Sequence, residues 1–358
     1  MFISVLDLFK IGIGPSSSHT MGPMVAAKNF RHRIQSHLAS ISDTPHLHIR
    51  CTLRGSLAFT GKGHATDRAI LLGIHNFAPQ QLAKQNVNEL VGKLSQLATV
   101  SLEDGTSIRF NPAKDIIFDR GDPLPEHPNG IILELLDQSD SQLPDQTQFK
   151  PDLSLLDLPG TQLLTETYFS IGGGFITTLS EIDQLVVPLK MEDSHSCGFP
   201  FDCANQMMEM SANSGLSIAA MKRSNEVERI SETALNDGLD AVWEAMHTCI
   251  ENGLNAEGQL PGGLKVHRRS KSLFNQLKEN PQNANLNDWL CAYAMAVNEE
   301  NAAGHMVVTA PTNGAAGVIP AVIYYAVNHE SATHDQVCDF LLTAGAIGGL
   351  IKHKSSIS

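Results

Sequence analysis

A polar run broken by prolines, QSDSQLPDQTQFKPDLSLLDLPG from Gln138 to Gly160, divides this chain into two stretches of different character. It keeps neither the helical nor the strand period, so no core is expected to continue through it, and residues 137–160 are taken as a linker. At 358 residues the chain also exceeds what one compact core usually organises. Residues 1–136 alternate strand-like runs, such as Leu47 to Leu57 and Gly130 to Leu136, with glycine turns and short helices. Residues 161–358 begin with one strand candidate, Leu163 to Phe169, and are then dominated by helical periodicity. The expected fold is an α+β N-terminal domain followed by an all-α domain of catalytic type.

Charge narrows the partners. A formal net charge of -13 repels phosphate backbones and anionic lipid headgroups, so nucleic acid and membrane surfaces are not expected. No stretch reaches the roughly 20 apolar residues that span a bilayer, and the opening residues carry no leader pattern, so a cytoplasmic location is expected. The six cysteines are scattered, as in a protein with reduced thiols.

Chemistry concentrates in a few loops. Ser16, Ser17, Ser18, His19 and Thr20 stand where a helix begins, where free N–H groups and the helix dipole attract an anion such as a carboxylate; a plain N-cap explains the same residues. Two glycines flank Lys62 in Gly61 to Asp67 and set Lys62 and His64 on a tight turn. There a lysine can neutralise a carboxylate and a histidine can move a proton, although an exposed basic turn has the same composition. Gly172-Gly173-Gly174 implies either a close backbone approach or a hinge. Leu260 to Arg269 is a turn with a basic cluster. The segment from Asn298 through Gly317 packs amides, carboxylates and small residues as if lining a pocket.

Taken in order, GPSSSHTMGP, GSLAFTGKGHATD, YFSIGGGF, LPGGLKVHRR, NEENAAG and TAPTNGAAG closely resemble the motifs of iron–sulfur-dependent L-serine dehydratases of the single-chain bacterial type, across the whole chain. That resemblance implies an N-terminal α+β domain, a helical catalytic domain, a homodimer, and conversion of L-serine to pyruvate and ammonia. A 4Fe–4S cluster would act as the Lewis acid on the serine hydroxyl. It further implies substrate-carboxylate contacts from Ser17, Ser18, His19 and Thr20, acid–base work by His64, and pocket roles for Lys62 and Asn313.

The chain also departs from the family's pattern. The family's TNGACG loop carries a cluster cysteine, and here Ala316 stands in its place. The remaining ligands are expected from a segment following SIS, where this sequence stops, so the chain by itself is expected to bind no cluster. Two functional readings follow from the sequence: a serine dehydratase by descent, and an inactive truncated relative that retains serine binding or dimerisation. Loss of the C-terminal segment is further expected to expose Leu341, Leu342, Ile347 and Leu350.

Overall fold

The computed structural model describes residues 2–39, 46–82, 85–137, 161–182 and 197–354; apart from Asp137, the expected linker lies outside them. The main sheet is built on β2 (Leu47–Gly55) and β6 (Asn129–Asp137), paired antiparallel over nine positions. Its strand order is β3 (Thr99–Ser101), β4 (Ser107–Arg109), β2, β6, β7 (Thr161–Ser170) and β8 (Ile176–Thr178). The short β5 (Ile116–Phe118) runs parallel to β2 on the edge that also carries β4. The strands on either side of the polar run, β6 and β7, are therefore neighbours in one sheet, paired through Gly130 to Asp137.

Alternation decides which side of this sheet is apolar. Ile49, Cys51 and Leu53 of β2 and Ile131, Leu133 and Leu135 of β6 all face one way, into a cluster with Ala26, Ala27, Phe30 and Ile34. Those four belong to α2 (Gly22–Leu38), whose apolar residues recur at helical spacing and which starts with a proline in its first turn. Each fully buried side chain of Phe30's size contributes about 1.5–3 kcal/mol. The opposite side carries ion pairs: Arg50 with Glu134 at 2.7 Å, His48 with Asp115 at 2.9 Å and Arg54 with Asp119 at 2.9 Å. Two helices follow β2, the single turn α3 (Ser56–Thr60) and α4 (Thr66–Ile74), while α5 (Val87–Leu94), α6 (Pro112–Asp115) and α7 (Leu179–Ile182) fill the margins.

The C-terminal part is helical: α8 (Ala204–Ser214), α9 (Ile218–Val227), α10 (Glu232–Asn255), α11 (Ser270–Glu279), α12 (Leu286–Ala303), α13 (Val318–Glu330) and α14 (His334–Lys354). α10 starts at Glu232, because Ser231 caps it by accepting from the Ala234 N–H. One strand, β9 (Met306–Thr309), interrupts the helices and pairs antiparallel with β1 (Lys10–Ile13). Gly12 and Ile13 pair with Val307 and Met306 at its end.

The N-terminus is sunk into the helical part. The single-turn α1 (Val5–Leu8) is held by Glu226, whose carboxylate accepts from the Val5 N–H at 2.6 Å and the Ser4 hydroxyl at 2.8 Å. Val5, Leu8 and Phe9 then bury Leu341 and Leu342 completely. The expectation of exposed apolar positions on this helix is corrected for those two and holds for Ile347, 44% exposed; Leu350 is half-buried. The physical reason is that the N-terminal helix covers the Leu341 face. No helix among the described residues is long and apolar enough to cross a membrane.

Candidate active site

The β1–β9 ladder brings the loop after Ile13 against the end of α12. Gly14 lies so close to Asn301 that a Cβ there would fall 1.9 Å from the Asn301 carbonyl oxygen. After the cis Gly14–Pro15 bond, Ser16 caps a five-residue π-helical turn, Ser17–Met21, by accepting from the His19 N–H at 3.1 Å. Such wide turns are rare and frequent at functional sites. Ser17, Ser18, His19 and Thr20 are all buried. Ser170, at the end of β7, donates its hydroxyl hydrogen to the Ser18 carbonyl at 2.6 Å, which fixes the turn to the sheet.

His19 sits between two hydroxyls. Its Nδ1 is 2.9 Å from Ser18 Oγ and its Nε2 is 3.0 Å from Ser56 Oγ, so a neutral ring accepts from one and donates to the other. Burial, followed by the neighbouring His64 charge, lowers its pKa to about 4. His19 is therefore neutral near pH 7, suited to orienting hydroxyls rather than carrying a charge. The His64 ring lies 4.9 Å away, centroid to centroid. His64 Nδ1 is 3.0 Å from the Thr60 carbonyl, so Nδ1 carries a hydrogen, and in the neutral ring Nε2 holds the lone pair. Thr20 anchors this turn by donating to the His64 carbonyl at 2.7 Å, and Thr66 donates to the His19 carbonyl at 2.6 Å.

A cleft of about 550 Å³ opens here, walled by Gly14, Pro15, Thr20, His64, Arg68 and Asn301 among others. Of the residues singled out in the sequence, Thr20, Lys62 and His64 reach the cleft, while Ser17, Ser18, His19 and Asn313 stand behind its wall. Lys62 is exposed at the rim, its Nζ 2.6 Å from Asp67. Asn313 is nearly fully buried and donates to Asn301 Oδ1 at 3.0 Å and to the Ile13 carbonyl at 3.3 Å.

Ser56 was missed in the sequence, and Ser16 and Asn301 entered it only as members of their segments. Ser56 and Ser16 hold His19, and their positions at a strand end and a turn start are the usual signal of a capping serine. Asn301 was grouped with its neighbours Glu299 and Glu300, which face elsewhere. Glu299 accepts from the Arg269 N–H at 2.6 Å and from the Ser270 hydroxyl at 2.6 Å, at the start of α11. Glu300 meets Arg268 at 2.7 Å, an ion contact out of line for a hydrogen bond, and His305 at 2.9 Å. Burial pushes the Glu300 carboxyl up, but the His305 and Arg268 contacts outweigh it and hold it below the usual range. The three glycines of Gly172 to Gly174 all adopt positive φ, 82°, 63° and 72°, and the loop passes Met21 and the Pro311 carbonyl without reaching the cleft. Close packing is thus the need they meet.

An iron–sulfur cluster requires thiolates, and no described residue lining this cleft is a cysteine. Ala316 is completely buried in an apolar cluster with Cys249, Val297 and Val307. Burial pushes the thiols of Cys249 and Cys51 upward, away from the thiolate form. The described residues do not fit such a cluster.

The family profile described as serine dehydratase beta chain matches residues 4–150, and that described as serine dehydratase alpha chain matches residues 213–358. The chain is 40% identical over 364 residues to an L-serine dehydratase of Streptomyces coelicolor, covering 100% of this chain and 73% of that protein. It is 40% identical over 362 residues to L-serine dehydratase TdcG of Escherichia coli, covering 99% and 73%. An L-serine dehydratase of Helicobacter pylori is 37% identical over 366 residues, again covering 99% and 73%.

Proposed function

Because this chain belongs to the L-serine dehydratase family, we propose that the cleft between the Ser17–Met21 turn and the end of α12 binds L-serine for its conversion to pyruvate and ammonia. The observation that carries the reading is the pairing of His64, whose Nε2 lone pair is left available, with a buried and neutral His19 held between Ser18 and Ser56. A zwitterionic amino acid needs donors for its carboxylate and a base near its Cα. Asn301, with one amide hydrogen beyond that given to the Pro15 carbonyl, and the Arg68 guanidinium supply donors at the wall. His64 is the group suited to take the Cα proton. Lys62 and Arg68 give the entrance local positive charge on an otherwise acidic protein. Departure of the serine hydroxyl needs an electrophile, and the described residues do not supply the thiolates of an iron–sulfur centre, so no step is derived through one.

One observation favours a second reading, that of a serine-binding relative without turnover. The buried methyl of Ala316 occupies the position at which the resemblance implies a cluster ligand. Both readings are separated by one preparation. The chain is purified anaerobically with iron and sulfide, examined for cluster absorbance, assayed for pyruvate from L-serine, and titrated with L-serine by calorimetry. Pyruvate formation supports the dehydratase; binding heat without pyruvate supports the second reading; folded protein with neither ends the proposal for this cleft.

A further inference from the structure

A second group of donor side chains lies apart from the serine cleft. His334 opens α14 and Cys338 follows one turn later on the same side of the helix. Asp240 reaches them from α10. His334 Nε2 is 2.6 Å from Asp240 Oδ1, and Cys338 Sγ is 3.9 Å from Nε2 and 4.0 Å from Nδ1 of the same ring. One ligand atom from each of the three lies within 4.8 Å of the other two. Cys338 is buried, while the side chains of His334 and Asp240 are 62% and 53% exposed. The sulfur thus forms the floor of a surface cavity whose open side meets water. Glu232, Asp335 and Asp339 also line it, against the single cation Arg223.

We propose that Asp240, His334 and Cys338 form a binding site for a divalent transition-metal ion with the preferences of zinc. One nitrogen, one oxygen and one sulfur donor, with a fourth position open to water, match that ion's chemistry. Tetrahedral bonds of about 2.0–2.3 Å place donors about 3.3–3.6 Å apart. The nitrogen–oxygen and nitrogen–sulfur separations here are 2.6 and 3.9 Å and the oxygen–sulfur separation is within 4.8 Å, so an ion enters by parting the imidazole and carboxylate and drawing the carboxylate toward the sulfur. A His–Asp ion pair accounts for two of the groups; Cys338 packs in the apolar cluster with Val337, Leu341 and Leu342, which holds its sulfur in place beside that pair. Binding forms metal–sulfur, metal–nitrogen and metal–oxygen bonds and releases the thiol proton, and any imidazolium proton, to solvent. No oxidant or reductant is involved. The surrounding carboxylates provide the negative field that draws a cation. The claim rests on the convergence of three different donors from two helices and is independent of serine chemistry.

The test is a titration of the metal-free chain with Co²⁺. The expected result is one equivalent bound, with a near-ultraviolet thiolate-to-cobalt band and intense tetrahedral visible absorption, both removed by Zn²⁺. Cys338→Ser should abolish the thiolate band, and His334→Gln and Asp240→Asn should each weaken binding at least about tenfold, since even outer-shell changes cost that much. The His334 and Asp240 side chains are largely exposed, so these two variants remain informative should Cys338→Ser fail to fold. Absence of the band, or a band unchanged in Cys338→Ser or in both other variants, overturns the proposal.

Discussion

The side-chain amides of Asn313 and Asn301 are joined by a hydrogen bond of 3.0 Å, which ties the loop before α13 to the last turn of α12. Thr309 donates to Asn313 Oδ1 at 2.7 Å, and Asn301 donates onward to the Pro15 carbonyl at 3.0 Å. The relay runs from β9 to the residue that precedes the serine turn. Replacing Asn313 with Ala leaves Asn301 Oδ1 and the Ile13 carbonyl buried without these donors. The expected cost is about 1–3 kcal/mol in urea unfolding, together with weaker L-serine binding by calorimetry. Stability equal to wild type would remove the relay from the list of what shapes the cleft.

His64 is expected to act in proton transfer. In protein that forms pyruvate, His64→Ala should lower kcat by about 10²–10⁴-fold with KM little changed. An effect confined to KM would instead make His64 a binding group.

Acid should loosen the fold before the carboxylates titrate. The pKa values of His19 and His75 are lowered to about 4, in both cases by burial first, followed by the His64 charge for His19 and the Arg31 charge for His75. The unfolded chain takes up these protons near pH 6.5 and the folded chain only near pH 4. Their contribution is therefore full above about pH 6.5 and is lost as the pH falls toward 4. Thermal unfolding should show Tm falling between about pH 7 and about pH 5, with a smaller fall in His75→Gln. A flat profile would mean that these rings are hydrated in the folded protein.

Leu342 is fully buried in the cluster formed with Val5, Leu8 and Phe9. Leu342→Ala should cost about 2–5 kcal/mol in chemical denaturation. Removing residues 1–9 should have a comparable effect, because the same cluster loses its other side; a truncated chain as stable as the full one would show that the N-terminal segment only decorates the helices.

The sequence made strands and helices legible as element types, because alternation in β2 and β6 and helical spacing in α10 and α12 are local signals; the boundary drawn at the polar run was not, since β7 and β8 beyond it complete the first sheet. It also placed the serine turn and the His64 turn correctly as loops entering helices. What it could not carry was long-range pairing. β1 is four residues, one of them Gly12, with Gly14 directly after it, and its partner β9 lies nearly 300 residues away, so neither strand announces itself. The coverage of Leu341 and Leu342 by α1 is of the same kind. Ser56 and Asn301 matter through partners that are 37 and 286 residues distant, Ser56 with His19 and Asn301 with Pro15, and no spacing rule reports such contacts.

The ladder of Lys10–Ile13 with Met306–Thr309 also bears on the order of assembly. A nascent chain can close its sheet on α2 once β6 and β7 have left the ribosome, but the serine turn has no second wall until residue 309 emerges. Newly made protein should therefore acquire ligand affinity only once residue 309 has emerged, long after its first half has become resistant to proteases.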